Sequence, residues 1–277
     1  MTATSADRDT TADRSARTPV VFIHGLWMQT SSWDRWVALF AEAGYDAVNP
    51  GWPGDGATVA ATRDTPSAVA GFGVQEVTDH YARIIAALPS KPIVVGHSFG
   101  GLIAQKLLGE GLALAAVAVD PAQFRGVLPL PVAQLKSAVP VLSNPGNAKT
   151  SNQPTKKQFH AGFANAVSRS ESDRLHDEFV VPSPGRPLFQ AALANFNPKT
   201  AASVKVDATR GPLLLTAGGR DNTVPEVTVR AAYKRYRDNP SVTELVTFPD
   251  RGHSLAIDEG WRDVADAALA FLKRNGL

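Results

Sequence analysis

The pentapeptide Gly-His-Ser-Phe-Gly at residues 96–100 constrains the fold more than any other stretch of the chain. It joins a short apolar run at 93–95, typical of a buried parallel strand, to a helix-forming segment at 102–108. A serine on so sharp a strand-to-helix turn has a strained backbone that exposes its hydroxyl above the sheet. We therefore predict that Ser98 is a nucleophile. The alternative is a tight turn whose serine only caps the helix.

Apolar runs and helix-forming segments alternate along most of the chain. Further strands are predicted at 19–23, 45–49, 115–119, 212–217 and 243–248, and helices at 33–43, 74–88, 225–238 and 259–273. This alternation favours parallel pairing with right-handed crossovers. The predicted fold class is therefore α/β, a doubly wound, mostly parallel sheet of about six strands with helices on both faces.

The alternation stops between residues 123 and 206, where no clear strand is predicted. Four short helices are expected there, near 131–138, 155–167, 171–179 and 187–195. We expect this helical cap insertion to lie over the carboxyl ends of the strands, where ligands bind in such sheets. Residues 19–122 and 207–277 then form the core, and the polar residues 1–18 a disordered tail.

Charge and composition argue against several classes of function. The 28 basic and 26 acidic residues nearly balance, so neither nucleic acid nor a membrane is expected as a partner. No apolar stretch is long enough to span a bilayer, and the first 17 residues lack the apolar run of a signal peptide. The absence of cysteine excludes disulfides and thiol chemistry and fits a cytoplasmic protein, which we expect to be a monomer or a homodimer.

A serine hydroxyl needs a base to take its proton, and a carboxylate must orient that base. We predict His253 as the base, because it directly follows the last predicted strand, whereas His97 should point away from the adjacent Ser98. We predict Asp221 as the carboxylate, since it lies in a glycine-rich turn after the strand at 212–217. Asp120, at the end of the preceding strand, is the competing candidate.

Two backbone amides should bind the oxyanion that forms on the substrate. One is predicted to be the amide of Phe99, the residue after the nucleophile. The other should come from the turn after the first strand, where Gly25 lets the chain pass close to the site, which favours Leu26 over Trp27. His24, just before this glycine, is expected to make a structural hydrogen bond.

Aromatic side chains near these positions predict an apolar substrate pocket. Trp27 and Trp52 flank the expected site, and the insertion contributes Phe124, Phe159 and Phe163. The alternative is that the phenylalanines pack the insertion onto the core.

The order Ser98, Asp221, His253, the glycines around Ser98 and the early His24-Gly25 pair resemble the α/β-hydrolase fold superfamily, over almost everything from residue 19 to 277. Within it, the chain is most similar to cofactor-free esterases, lactonases and perhydrolases of actinobacteria that carry a helical cap. The resemblance implies a catalytic triad, an acyl-enzyme, no metal and no cofactor. The family's usual first two strands have no room before residue 19, which predicts a trimmed sheet.

The serine also narrows the reaction that the resemblance implies. Relatives that open epoxides or remove halides have an aspartate at this position, so serine indicates attack on a carbonyl group. The main expectation is hydrolysis of a small, uncharged carboxylic ester or lactone. Relatives that cleave carbon–carbon bonds or release cyanide also keep the serine. Carbon–carbon hydrolysis, lyase or perhydrolase chemistry and a non-catalytic ligand receptor are therefore the alternatives.

Overall fold

A computed structural model of the chain describes residues 17–277, so the predicted tail lies almost wholly outside the described residues. The strands are β1 (Pro19–Ile23), β2 (Asp46–Val48), β3 (Ile93–His97), β4 (Ala115–Val119), β5 (Ser151–Asn152), β6 (Ser183–Pro184), β7 (Leu213–Gly218) and β8 (Thr243–Phe248). Six of them form one parallel sheet in the order β2-β1-β3-β4-β7-β8. This confirms the predicted doubly wound sheet of about six strands.

Helices cover both faces of this sheet. They are α1 (Asp34–Glu42), α2 (Val59–Asp64), α3 (Val74–Ala86), α4 (Phe99–Gly109), α5 (Val132–Leu142), α6 (Lys156–Gly162), α7 (Arg169–Phe179), α8 (Arg186–Ala192), α9 (Glu226–Lys234) and α10 (Trp261–Arg274). Apolar residues of α3, α4 and α9 pack on one face, and those of α1 and α10 on the other. The short helix α2 was not predicted.

Strand β1 illustrates why the sheet is buried on both sides. Val21 and Ile23 belong to the apolar cluster on one face, and Val20 and Phe22 to the cluster on the other. The ring of Phe22 meets that of Phe40 edge to face, with centroids 5.2 Å apart. Such an aromatic pair contributes about 0.5–1.5 kcal/mol beyond the burial of its area. A strand without a polar face is what a doubly covered parallel sheet requires.

Helices α5 to α8 lie within residues 123–206, hereafter the insertion. The expectation that this segment has no strand was wrong, because β5 and β6 form a two-stranded antiparallel sheet. Two residues per strand, some 30 positions apart, are too short for a periodic pattern to reveal. The boundaries of the insertion as a separate domain stay a prediction. Within residues 17–277, none of the helices has both the length and the apolarity needed to cross a membrane.

The topology places one crevice at the centre of the sheet. The chain continues from β1 to β2 on one side, whereas β3, β4, β7 and β8 follow on the other. In such sheets, ligands bind outside the carboxyl ends of the strands where the order reverses. Here those ends lead into Gly25 and Leu26 after β1 and into Ser98 after β3.

Candidate active site

Ser98 lies at the sharp turn between β3 and α4, as its neighbours predict. Its φ of 56° and ψ of −119° are strained for a residue with a side chain. A Cβ atom at Gly96 would collide with the backbone of Gly100, and one at Gly100 with the carbonyl of Ile23. Only glycine fits at these two positions, so strand, turn and helix can cross closely enough to project Ser98 above the sheet.

His253 and Asp221 form a buried pair at the same edge of the sheet. His253 Nδ1 lies 2.6 Å from Asp221 Oδ2, and both side chains are fully buried. The other oxygen of Asp221 accepts hydrogen bonds from the amides of Thr223 (2.6 Å) and Val224 (2.8 Å). Burial opposes ionisation of Asp221, but the attraction and hydrogen bond of His253, together with further hydrogen bonds to this carboxylate, lower the pKa of Asp221. The pair can therefore orient a neutral imidazole and stabilise an imidazolium.

Ser98 and His253 are not hydrogen-bonded to each other in this structure. Nε2 of His253 is buried and has no partner among the described residues. The ring of His97, next to Ser98 in the chain, lies 4.6 Å from the His253 ring. Catalytic hydrogen bonds are often long in unliganded enzymes and tighten when substrate binds. The geometry brings the Asp221–His253 pair to the serine turn and leaves Nε2 unpaired.

Two further contacts hold His253 in position. His97 Nε2 donates to the backbone carbonyl of His253 (3.0 Å), and burial, reinforced by the proximity of His253, lowers the pKa of His97 well below its usual value. His97 therefore stays neutral. Phe163 meets the His253 ring edge to face, with centroids 4.7 Å apart. The sequence offered no signal for either contact, because the partners are distant in the chain.

The turn after β1 offers two candidate oxyanion donors, the amides of Leu26 and Trp27, and only one of them is free. Within residues 17–277, the amides of Leu26 and Phe99 donate no hydrogen bond. The amide of Trp27, in contrast, donates to Ser183 Oγ at 2.6 Å. Gly25 brings this turn against the nucleophile, since a Cβ there would lie 2.8 Å from Ser98 Cβ. Leu26 and Phe99 thus remain the pair of free amides beside Ser98.

A contact with the insertion fixes the same turn from outside. Val181 N donates to the carbonyl of Trp27 at 2.9 Å, and Met28 and Val180 form an antiparallel bridge. Together with the bond from Trp27 to Ser183, these contacts pair the backbone after β1 with the segment that leads into β6. The φ of Trp27, 67°, is held by this pairing.

Trp52 does not face the cavity, contrary to the prediction that it binds substrate. Its indole Nε1 donates to the carbonyl of His24 (3.0 Å) and its ring stacks on the His24 ring. Nε2 of His24 lies 2.9 Å from Asp55 Oδ2, so His24 has the structural contact expected for it. Asp55 also accepts from the Trp52 amide at 2.7 Å. This network supports the turn that carries Leu26.

An apolar cavity opens at Ser98; together with the solvent at its mouth, the space between its walls is about 770 Å³. Leu26, Trp27 and Phe99 contribute to its floor. The insertion supplies much of the remaining wall through Leu130, Leu135, Leu142, Leu188, Ala191 and Ala192. Sequence reasoning missed these aliphatic residues, because it counted aromatic side chains alone.

A second cavity adjoins the first and shares Trp27, Ser137 and Thr223 with it. The predicted pocket residues Phe159 and Phe163 line this second cavity. Phe124, by contrast, packs in the core with its ring 6.2 Å from that of Tyr236. Its prediction as a substrate contact was wrong because a residue's burial depends on tertiary neighbours that a local sequence does not reveal.

Asp120, Asp221 and His253 are the one group among residues 17–277 whose donor atoms could together approach a metal ion, lying within 4.8 Å of one another. A metal there would compete with the 2.6 Å contact between His253 and Asp221. The arrangement suits proton transfer better than metal binding, and cofactor-free chemistry stays a prediction.

Comparisons with known proteins agree with this architecture. No curated protein sequence matches the chain. Among solved structures, a monoacylglycerol lipase of Paleococcus ferrophilus is 20% identical, with a TM-score of 0.67 over 92% of this chain and 93% of that chain. An extracellular α/β-hydrolase from a Paenibacillus species is 18% identical, with a TM-score of 0.68 over 92% and 98%. A methylesterase from Arabidopsis is 17% identical, with a TM-score of 0.62 over 91% and 98%.

At such identities these structures establish the fold alone. The sequence model of the Alpha/beta hydrolase family, however, matches residues 20–267 directly. That range runs from β1 into α10 and includes the serine turn, the insertion and the His253 loop. Because the match spans nearly the whole sheet and everything between its strands, the chain belongs to the alpha/beta hydrolase family.

Proposed function

We propose that this protein is a serine hydrolase that cleaves an uncharged carboxylic ester or lactone through an acyl-enzyme. The observation that carries this proposal is the position of Ser98, on a strained turn at an apolar cavity, next to a buried Asp221–His253 pair. The monoacylglycerol lipase and methylesterase names of the similar structures agree with ester chemistry. We further propose that the protein acts in the cytoplasm, as a monomer or homodimer.

Each residue then has a defined step. Ser98 Oγ attacks the carbonyl carbon while its proton passes to His253 Nε2, and Asp221 stabilises the imidazolium. The amides of Leu26 and Phe99 bind the oxyanion, where loss of one donor costs about 10²- to 10³-fold in kcat. His253 then protonates the leaving oxygen, the alcohol departs or the lactone ring opens, and water releases the acyl group by the reverse sequence.

The cavity walls support an uncharged substrate. None of the residues that line the cavity at Ser98 is Asp, Glu, Lys or Arg. An ionised substrate group would lose its hydration there without a countercharge, which is costly. We place the acyl portion in this cavity, where Ser98 lies. The leaving group departs on the His253 side, where Phe163 links the imidazole to the second cavity.

Active-site labelling tests the nucleophile. A fluorophosphonate probe is expected to label the wild-type protein and not Ser98→Ala, because the probe reacts only with an activated hydroxyl. Hydrolysis of p-nitrophenyl acyl esters should fall by about 10⁴-fold or more in Ser98→Ala. Ser90→Ala, at an exposed serine before β3 and so at the opposite end of that strand from Ser98, is the matched control and should label and hydrolyse like wild type.

A panel of esters, lactones and carbon–carbon bonded substrates then separates the reaction types. The proposal expects turnover of neutral esters or lactones to exceed that of their carboxylate-bearing analogues, since the cavity lacks a countercharge. Labelling of Ser98 together with preferred turnover of carbon–carbon bonded or cyanohydrin substrates would assign the site to the alternative chemistries. Labelling of wild type that survives in Ser98→Ala would contradict the proposal.

A further inference from the structure

Asp120 is a buried carboxyl group that the mechanism above leaves without a role. It follows β4 directly, and its side chain is fully buried. Within residues 17–277, three residues other than glycine have a positive φ: Trp27 (67°), Ser98 (56°) and Asp120 (41°). The first belongs to the oxyanion turn and the second is the nucleophile. Strain of this kind concentrates at functional sites, so the third position directs attention to Asp120.

The Asp120 carboxyl lies beside the acid of the proposed triad. Donor atoms of Asp120, Asp221 and His253 lie within 4.8 Å of one another. The amide of Gly218 approaches both oxygens of Asp120, at 3.0 and 3.1 Å. Since β4 and β7 are neighbours in the sheet, the residues that follow them meet at one edge. A buried carboxyl group with one amide donor and a second carboxyl group alongside cannot remain an isolated anion.

Electrostatics decide which of the two carboxyl groups holds a proton. Burial and then repulsion from Asp221 raise the pKa of Asp120 well above its usual range, whereas the pKa of Asp221 is lowered. Two buried carboxylates in contact do not both ionise. Asp258 also acts on Asp120 and opposes its ionisation, and His97 stays neutral, so neither offers a countercharge. The proton therefore belongs to Asp120.

We propose that Asp120 is a positioning residue, a neutral carboxylic acid that donates its O–H to the Asp221 carboxylate. This inference rests on the proposed function, because it assigns Asp221 as the acid that orients His253. The proton stays on Asp120 throughout the reaction, and no bond of the substrate involves it. The two carboxyl groups share one negative charge, and Asp120 adds a third donor to the amides of Thr223 and Val224.

The protonated form matters for His253. If Asp120 lost its proton at high pH, two negative charges would lie beside the imidazole. Asp120 could then no longer donate to Asp221, and repulsion would drive the two carboxyl groups apart, so that Asp221 would lose its position against His253. Activity should therefore fall at high pH through the titration of Asp120.

Two substitutions separate this role from a purely structural one. Asp120→Asn keeps a donor towards Asp221 and an acceptor for the Gly218 amide, without a titrating proton, whereas Asp120→Ala removes both. We expect Asp120→Ala to lose about 10- to 100-fold in kcat with little change in KM, as for the loss of one hydrogen bond to a charged group. The kcat of Asp120→Asn should be about tenfold higher than that of Asp120→Ala, and its activity should decline less at high pH than that of wild type. Equal losses in both variants, or no loss in either, would overturn the proposal.

Spectroscopy tests the same inference without substrate, so it stays decisive if the proposed reaction is wrong. In the infrared difference spectrum of wild type minus Asp120→Asn, the C=O stretch of a protonated carboxylic acid should appear at neutral pH. The proton NMR resonance of His253 Nδ1–H should shift in Asp120→Ala and return towards its wild-type position in Asp120→Asn. A carboxylate signature in the difference spectrum would refute a neutral Asp120, whatever the substrate proves to be.

Discussion

Replacement of Phe163 by leucine tests whether the wall behind His253 contributes to catalysis. The Phe163 ring is buried and meets His253 at 4.7 Å with an interplanar angle of 88°, and His97 at 5.6 Å and 77°. An edge-to-face pair of this kind contributes about 0.5–1.5 kcal/mol. If this energy holds the imidazole in the reactive orientation, its loss lowers kcat by about 2- to 12-fold.

Phe124→Leu is the matched control for this experiment. Phe124 is equally buried, but its ring contacts Tyr236 and lies away from the histidines. Both substitutions should lower the free energy of unfolding by about 1–2 kcal/mol, measured by urea denaturation. Only Phe163→Leu should lower kcat for a p-nitrophenyl ester. A parallel fall in both variants would show that kcat follows stability, and an unchanged kcat in Phe163→Leu would refute the positioning argument.

Three further outcomes are expected. Leu26→Pro removes a free amide and should lower kcat by about 10²- to 10³-fold, whereas Leu26→Ala keeps the amide and should change kcat far less. Leu188→Trp narrows the cavity at Ser98, so the longest acyl chain that is hydrolysed efficiently should become shorter, as a chain-length series of p-nitrophenyl esters would reveal. Because folding raises the pKa of Asp120, this residue stabilises the fold most at a pH below its unfolded-state pKa. The stabilisation falls as pH rises towards its folded-state pKa. Asp120→Asn should therefore raise Tm relative to wild type, increasingly so from acidic to neutral pH, in thermal scans.

The fold could be predicted from the sequence because its signals are local. Strands β1, β3, β4 and β7 are short, largely apolar runs, and the glycines at 96 and 100 mark a crossing that no other residue permits. The contacts that single aromatic residues make in the fold could not be predicted in this way. Trp52 and Phe124 look like pocket residues, yet one braces His24 and the other packs on Tyr236. Their burial is decided by partners far away in the chain.

The candidate site shows the same division. Ser98, Asp221 and His253 each follow a recognisable strand, so their roles could be hypothesised from the sequence, and those roles stay proposals. The sequence raised Asp120 only as a rival to Asp221. The two carboxyl groups lie side by side because β4 and β7 are adjacent in the sheet, although 93 residues lie between the end of β4 and the start of β7. Strand order, rather than motif, decides this contact.

The backbone pairing between Trp27–Met28 and Val180–Ser183 has a consequence for how substrate reaches the serine. If the insertion moved away along this pairing, the turn that carries Leu26 would lose these contacts each time. We therefore expect substrate to enter beside Leu130 and Leu135, which line the cavity and are 45% exposed. The paired backbone segments are then expected to stay in place, and only the wall that carries Leu130 and Leu135 to move as substrate enters.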